Sequence, residues 1–214
     1  MKQVLYSNEY REIWDKFCKE QPEAWFWHTS FWMEYCLESR FGVECQNFSY
    51  LIMDDKLGVL AIVPLIMELS GEGREFSYSS GPLPEPLILS NIGKKEKEIE
   101  KYIFAEYKRL AKVNNVQRIA IRLSNMCQTQ EDRTEPVLIR YGYIDISGYT
   151  SVLNLQHNEE YLLAGMTKGH RSSITKAIRL GVEVKSYDQL TITEEKWRDF
   201  KESYFNAAKK HTRP

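Results

Sequence analysis

Thr167-Lys168-Gly169-His170-Arg171-Ser172-Ser173-Ile174-Thr175-Lys176-Ala177-Ile178-Arg179-Leu180-Gly181-Val182-Glu183-Val184-Lys185 is the stretch on which the reading of this chain turns. A strand-like run, Tyr149-Thr150-Ser151-Val152-Leu153-Asn154-Leu155, stands ahead of it. Between Tyr161 and Lys185 there are five Lys/Arg (Lys168, Arg171, Lys176, Arg179, Lys185) against one acid, Glu183. The whole chain carries a net charge of only −1, so the cations are a local concentration and not a by-product of composition. A helix carrying them presents a cationic face suited to phosphate or carboxylate.

The local signals frame that helix. Asn158 is a suitable N-cap, with Glu159 and Glu160 in the first turn, where the helix dipole favours anions. Gly165 and Gly169 weaken continuity, so a break between two helical pieces is expected near them, and Gly181 ends the second piece. At about 100° per residue, Ile174, Ala177 and Ile178 form one stripe with His170 on the same side. Arg171 lies at its margin, while Lys168, Ser172, Thr175 and Arg179 share the neighbouring polar face. A marginal arginine held by packing suits a ligand-orienting role. The candidate substrate-binding residues are therefore Lys168, His170, Arg171, Lys176 and Arg179. A solvated helix face with cations toward its C-terminus is the alternative reading, and His170 alone reads as a satisfied, half-buried histidine rather than a catalyst.

The rest of the composition excludes several classes. A chain of 214 residues that is 43% hydrophobic and 28% charged can bury a substantial core and reads as one or two globular domains. Near-neutral charge gives no overall argument for nucleic acid. Cys18, Cys36, Cys45 and Cys127 show no CxxC spacing and no clustered histidines, so neither a metal site nor a disulfide framework is expected. The N-terminus lacks an apolar signal-peptide core, and the run Leu57–Met67 is too short to span a bilayer. A cytoplasmic protein with no transmembrane segment is expected.

Along the chain, a short strand is expected near Val4–Tyr6. A helix follows from Ser7 or Asn8 to about Lys19, with Tyr10, Ile13, Trp14 and Phe17 at helical spacing. Thr29-Ser30 announces a second helix, and the rings of Trp25–Trp32 are expected in the core. Asn47–Met53 and Leu57–Met67 read as a hairpin joined at Asp54-Asp55-Lys56, with a bulge or edge at Pro64. A turn at Ser70–Gly73 leads into a strand at Arg74–Tyr78. Ser79–Pro86, rich in Pro and Gly, reads as loop. Lys94–Val113 predicts a long amphipathic helix with Ile99, Tyr102, Ile103, Tyr107, Leu110 and Ala111 inward. Tyr78, Tyr102 and Tyr107 are taken as core and not as substrate contacts. Val116–Leu123 reads as strand, Cys127–Glu135 as loop, and Val137–Ile139 and Tyr143–Ile146 are ambiguous. Thr150–Leu155 and Val182–Tyr187 read as strands, and Thr191–His211 as a helix capped by Thr193. This order makes an α/β (α+β) layered sandwich around a mixed sheet.

Four segments together resemble the Fem-type aminoacyltransferases and their relatives in the GNAT superfamily. They are His28-Thr29-Ser30-Phe31-Trp32 with Tyr35; Asp55-Lys56-Leu57-Gly58-Val59 followed by Pro64-Leu65; Tyr149–Leu155; and, most specifically, Lys168–Ala177 with Gly181–Val184. The resemblance implies a first GNAT-like domain over residues 1–156, basic linking helices over 157–181, and the start of a second, incomplete GNAT-like domain over 182–214. About thirty residues cannot form a domain core alone, so either more of that domain exists or the terminal piece packs back on the first, and a chain this short need not be active by itself.

The activity implied is transfer of an aminoacyl or acyl group to an amine of a cell-wall (peptidoglycan) precursor or similar acceptor. The donor implied is aminoacyl-tRNA or acyl-CoA, with no bound cofactor, and the acceptor is an anionic or nucleotide-linked molecule. An N-acetyltransferase for an amino sugar and an inactive association domain are the alternatives. Glu68-Leu69-Ser70-Gly71-Glu72-Gly73 departs from the superfamily's pyrophosphate loop and reads as a hairpin turn, which argues against coenzyme A in the first domain. Catalytic residues and oligomeric state stay open.

Overall fold

Alternation along two neighbouring strands sorts much of their buried side-chain surface into two cores. In the computed structural model, which describes residues 1–38, 43–71, 73–78, 81–123, 137–148, 153–188 and 190–211, strand β3 (Tyr50–Asp54) pairs antiparallel with β4 (Gly58–Val63). Tyr50 and Ile52 enter one hydrophobic cluster and Leu51 the other, and Val63 and Ile62 of β4 divide in the same way. Successive strand side chains point to opposite faces, so a strand covered on both sides reads as a continuous apolar run. Leu60, Ala61, Ile62 and Val63 are accordingly all fully buried.

Helix α1 (Arg11–Glu20) covers one face: its Trp14, Phe17 and Cys18 pack with Leu51, Ile62 and Leu87. Helices α2 (Ser30–Glu38) and α3 (Lys94–Val113) supply Met33, Cys36, Ile99, Ile103, Phe104, Tyr107 and Leu110 to the larger cluster. Helix α3 has the boundaries its pattern predicts. Ile13 is the exception in α1: it is 40% exposed, and Cys18 takes the buried place. A 3-10 turn over Asn8–Tyr10 precedes α1, and the Ser7 side chain makes no capping bond.

Among the described residues the strands form three sheets. The first orders β1 (Lys2–Leu5), β3, β4 and β8 (Leu87–Ile88), all antiparallel. The second orders β2 (Glu44–Asn47), β5 (Ile66–Ser70), β6 (Gly73–Phe76) and β9 (Arg118–Ile119), with β6 and β9 parallel. The third is a parallel pair, β7 (Leu83–Pro84) with β10 (Ile121–Arg122). The molecule is thus a mixed α/β fold.

The predicted strand Leu57–Met67 is two strands in two different sheets. Pro64 stands between β4 and β5 because it has no N–H to give a ladder, and the chain leaves one sheet there for the next. The register irregularity lies instead at Ile52/Met53. Val116–Leu123 breaks likewise at Ala120. Ser79–Pro86 is not all loop: Leu83 N–H donates to Ala120 O at 2.8 Å and Glu85 N–H to Arg122 O at 3.1 Å. The intervening Pro84 needs no donor.

The β3–β4 turn is built by Asp54, whose Oδ1 accepts from Lys56 N–H (3.0 Å) and Leu57 N–H (3.2 Å), while Gly58 takes φ +76°. These bonds, the Lys56 N–H foremost, together with one from Lys95 Nζ to Asp54 Oδ2 at 3.2 Å, hold the pKa of the Asp54 carboxyl at about 2.

The chain folds as two compact units. Met1–Thr150 holds the sheets and α1–α4 (α4 is Val137–Arg140), and Ser151–Pro214 is the second unit. The division falls after Thr150, where the sequence reading places it after Gln156. The second unit holds α5 (Glu159–Gly165), α6 (Lys168–Arg179) and α7 (Glu194–His211). Of the predicted strand Thr150–Leu155, residues 150–152 lie outside the described residues, and Leu153–Leu155 is not strand. Val182–Tyr187 is not strand either, since no described strand pairs with it and a lone strand leaves its ladder groups unmet. The predicted loop Cys127–Glu135 lies outside the described residues. Tyr143–Ile146 forms no regular element, and no described helix is long and apolar enough to cross a membrane.

Candidate functional sites

The cationic helix forms as its sequence predicts, with each end closed. Asn158 Oδ1 accepts from Tyr161 N–H at 2.9 Å and starts α5. The break falls at Met166-Thr167: Gly165 ends α5, whereas Gly169 lies inside α6. Thr167 caps α6, its Oγ1 accepting from His170 N–H (3.4 Å) and lying 3.0 Å from His170 Nδ1. His170 is therefore exposed and bonded to its own helix start. At the other end Gly181 takes φ +70°, with its N–H bonded to Ile178 O and Val182 N–H to Ala177 O. That is the paired bonding of a Schellman stop.

The five candidate side chains have different surroundings. Arg171 donates through Nη1 to Ala164 O at 3.0 Å and to Met166 O, so its guanidinium closes the C-terminal end of α5. A cation over the last carbonyls of a helix satisfies acceptors that have no intrahelical partner. Lys168, Lys176 and Arg179 are exposed, make no ion pair with a described residue, and share a helix with no Asp or Glu in it. Lys185 instead pairs with Glu183 at 3.2 Å. The predicted apolar stripe is half-buried at Ile174 and Ala177, while Ile178 is 72% exposed. The four cavities described are lined by other residues.

In the first unit, the aromatic segment expected in the core is found around a hollow. Trp25 is 38% exposed, Phe26 50%, Phe31 62% and Tyr35 50%, and Trp27 and Trp32 are half-buried. Trp25, Trp27, His28 and Trp32 line a cavity of about 220 Å³ together with Tyr78, Gly81, Pro82, Pro84, Arg122 and Leu123. Helical spacing identifies rings that share a face but not whether a neighbour fills the space before them. The β7–β10 pairing, which brings Pro84 and Arg122 together, joins residues far apart in sequence.

His28 anchors this corner. Its Nδ1 accepts Trp25 N–H at 2.9 Å, so Nε2 carries the proton and donates to Glu85 O at 2.9 Å. Burial lowers its pKa to about 4, which keeps the ring neutral at pH 7. Trp14 Nε1 donates to His28 O at 2.6 Å, tying α1 to the same turn. With both ring nitrogens engaged, His28 is a wall and not a proton donor or acceptor for a ligand. Tyr78 and Tyr107 are buried as expected, burial pushing both hydroxyls far up. Tyr102 is half-buried, with its hydroxyl donating to Gln3 Oε1 at 2.5 Å. Among the described residues, no group of three or more His, Cys, Asp or Glu could hold a metal ion.

No protein-family model matches the chain, and no curated protein matches it. A solved structure that is similar in part is the crystal structure of a probable acetyltransferase, 12% identical with a TM-score of 0.43, the match covering 72% of this chain and 99% of that one. A likeness at that level assigns this chain neither a family nor an activity.

Proposed function

We propose that this chain serves acyl transfer onto an amine, of the Fem and GNAT kind, with α6 as the surface that meets an anionic acceptor. The observation that carries the reading is the set Lys168, Lys176 and Arg179: exposed cations without acidic partners among the described residues, on the helix whose sequence is the most specific part of the resemblance. In the proposed reaction the acceptor amine attacks the acyl carbonyl carbon. A C–N bond forms, the ester or thioester bond to the donor breaks, and the amine proton leaves with a base or the departing hydroxyl or thiol. The cations neutralise the acceptor's phosphates and hold it in place, and positioning is a large part of what such a reaction needs. The acceptor of this reading is a nucleotide-linked cell-wall precursor, and the donor is aminoacyl-tRNA or acyl-CoA.

The test is transfer of a radiolabelled acyl group by the full chain to a nucleotide-linked muramyl peptide, with aminoacyl-tRNA and acetyl-CoA as separate donors. Transfer from aminoacyl-tRNA is expected. With an amino sugar as a second acceptor, transfer to it from acetyl-CoA alone would replace the Fem-type reading with sugar N-acetylation, and the absence of both transfer and binding of the muramyl peptide would remove the acyltransferase reading.

A further inference from the structure

The hollow in the first unit has a chemistry of its own, and it stands apart from the acyl-transfer reading. Two of its indoles are braced by other rings, Trp27 edge-on to Trp32 at 4.8 Å and Trp32 stacked on Tyr35 at 5.0 Å, so those ring angles are held without the space being filled. Large apolar rings left against solvent around a concavity mark a binding surface. Pro82 and Pro84 add rigid, C–H-rich rings that carry no N–H. His28 is neutral and has both nitrogens engaged, so it adds neither charge nor a free donor. Arg122 is the charged side chain among those lining the space; it is exposed and has no ion-pair partner among the described residues.

We propose that this cavity binds a small ligand with a flat apolar or aromatic body and one negative group, the body lying against the indoles and the anion meeting the Arg122 guanidinium. A guanidinium presents a fixed fork of N–H donors that matches a carboxylate or phosphate. Indole faces also attract cations, but a permanently charged arginine on the same lining opposes one. At about 220 Å³ the space is below the roughly 300–1,000 Å³ of pockets for drug-sized ligands, so it takes a one-ring molecule or one end of a longer one.

The experiment titrates the full chain with phenylacetate, its uncharged amide phenylacetamide, and benzyltrimethylammonium, while following the indole N–H resonances of the tryptophans. Phenylacetate is expected to shift Trp25, Trp27 and Trp32 and to leave Trp14 and Trp197 in place. It is expected to bind about two- to fivefold more tightly than the amide, the advantage of one exposed charge pair. Arg122→Gln removes that advantage but keeps weak binding of both compounds, Arg122→Lys retains part of it, and high salt erodes it in the wild type without any variant. Tighter binding of the ammonium compound, an advantage indifferent to both salt and Arg122→Gln, or no perturbation of the three indoles at millimolar concentration would overturn the proposal. Each readout needs no acyl donor, so its failure and that of the acyl-transfer reading are separate.

Discussion

His28 shows how one residue sets the pH behaviour of this fold. Its imidazole is buried, neutral and bonded at both nitrogens, with a pKa lowered to about 4 by burial. In the unfolded chain the same ring titrates near the ordinary 6.5. Between those values the unfolded state binds a proton that the folded state refuses, so stability falls as pH drops below about 6.5 and levels off below about 4. The loss attributable to His28 approaches about 3 kcal/mol. Urea unfolding of wild type and His28→Asn at pH 7, 5 and 4 checks this, because the carboxylates cancel in the difference between the two proteins. The variant is expected to be less stable at pH 7 but to lose less between pH 7 and 4; equal losses would reject the assignment. Sequence alone misses this role: a lone histidine between aromatics gives no sign that Glu85 O will meet it from another element.

Elements are legible in proportion to how locally they are determined. Helix α3 runs from Lys94 to Val113 as predicted because twenty residues without Gly or Pro carry an unbroken apolar stripe. The caps at Asn158 and Thr193 and the stop at Gly181 are likewise visible, each being a bond between near neighbours; Thr193 Oγ1 accepts from Lys196 N–H at 3.3 Å. What escapes the sequence is non-local. Pro64 reads as a bulge within one strand, but which sheet each half joins depends on β3 and β6. The β7–β10 pair is hidden in a Pro-rich loop, and Trp25, Trp27 and Trp32 line a cavity to which that pair contributes Pro84 and Arg122. At this scale the two glycines of α6 and its stop are expected to respond oppositely. Gly181→Ala places a side chain at φ +70° and costs about 1 kcal/mol. Gly169→Ala, inside the helix where an added Cβ meets Thr167 Oγ1 at an unstrained 4.0 Å, is neutral or slightly stabilising. Amide exchange of α6 in the two variants measures both, and similar protection losses would contradict the Schellman stop.

For the whole molecule, the α/β class is readable from the order of elements, while the pairing of strands into three sheets is not. The five predicted site residues do not share one environment. Lys168, Lys176 and Arg179 stand exposed, His170 bonds its helix cap, and Arg171 closes α5. A loss of binding on Arg171→Ala would therefore mix ligand contact with a loosened helix corner, and the other three cations carry the cleaner test. The decisive measurement is the affinity of the full chain for a nucleotide-linked muramyl peptide, compared with the triple variant Lys168→Ala, Lys176→Ala, Arg179→Ala at two salt concentrations. About tenfold weaker binding is expected in the variant, with a shallower salt dependence, as when cations that neutralise phosphates are removed. Equal affinity and equal salt dependence in the two proteins would contradict it.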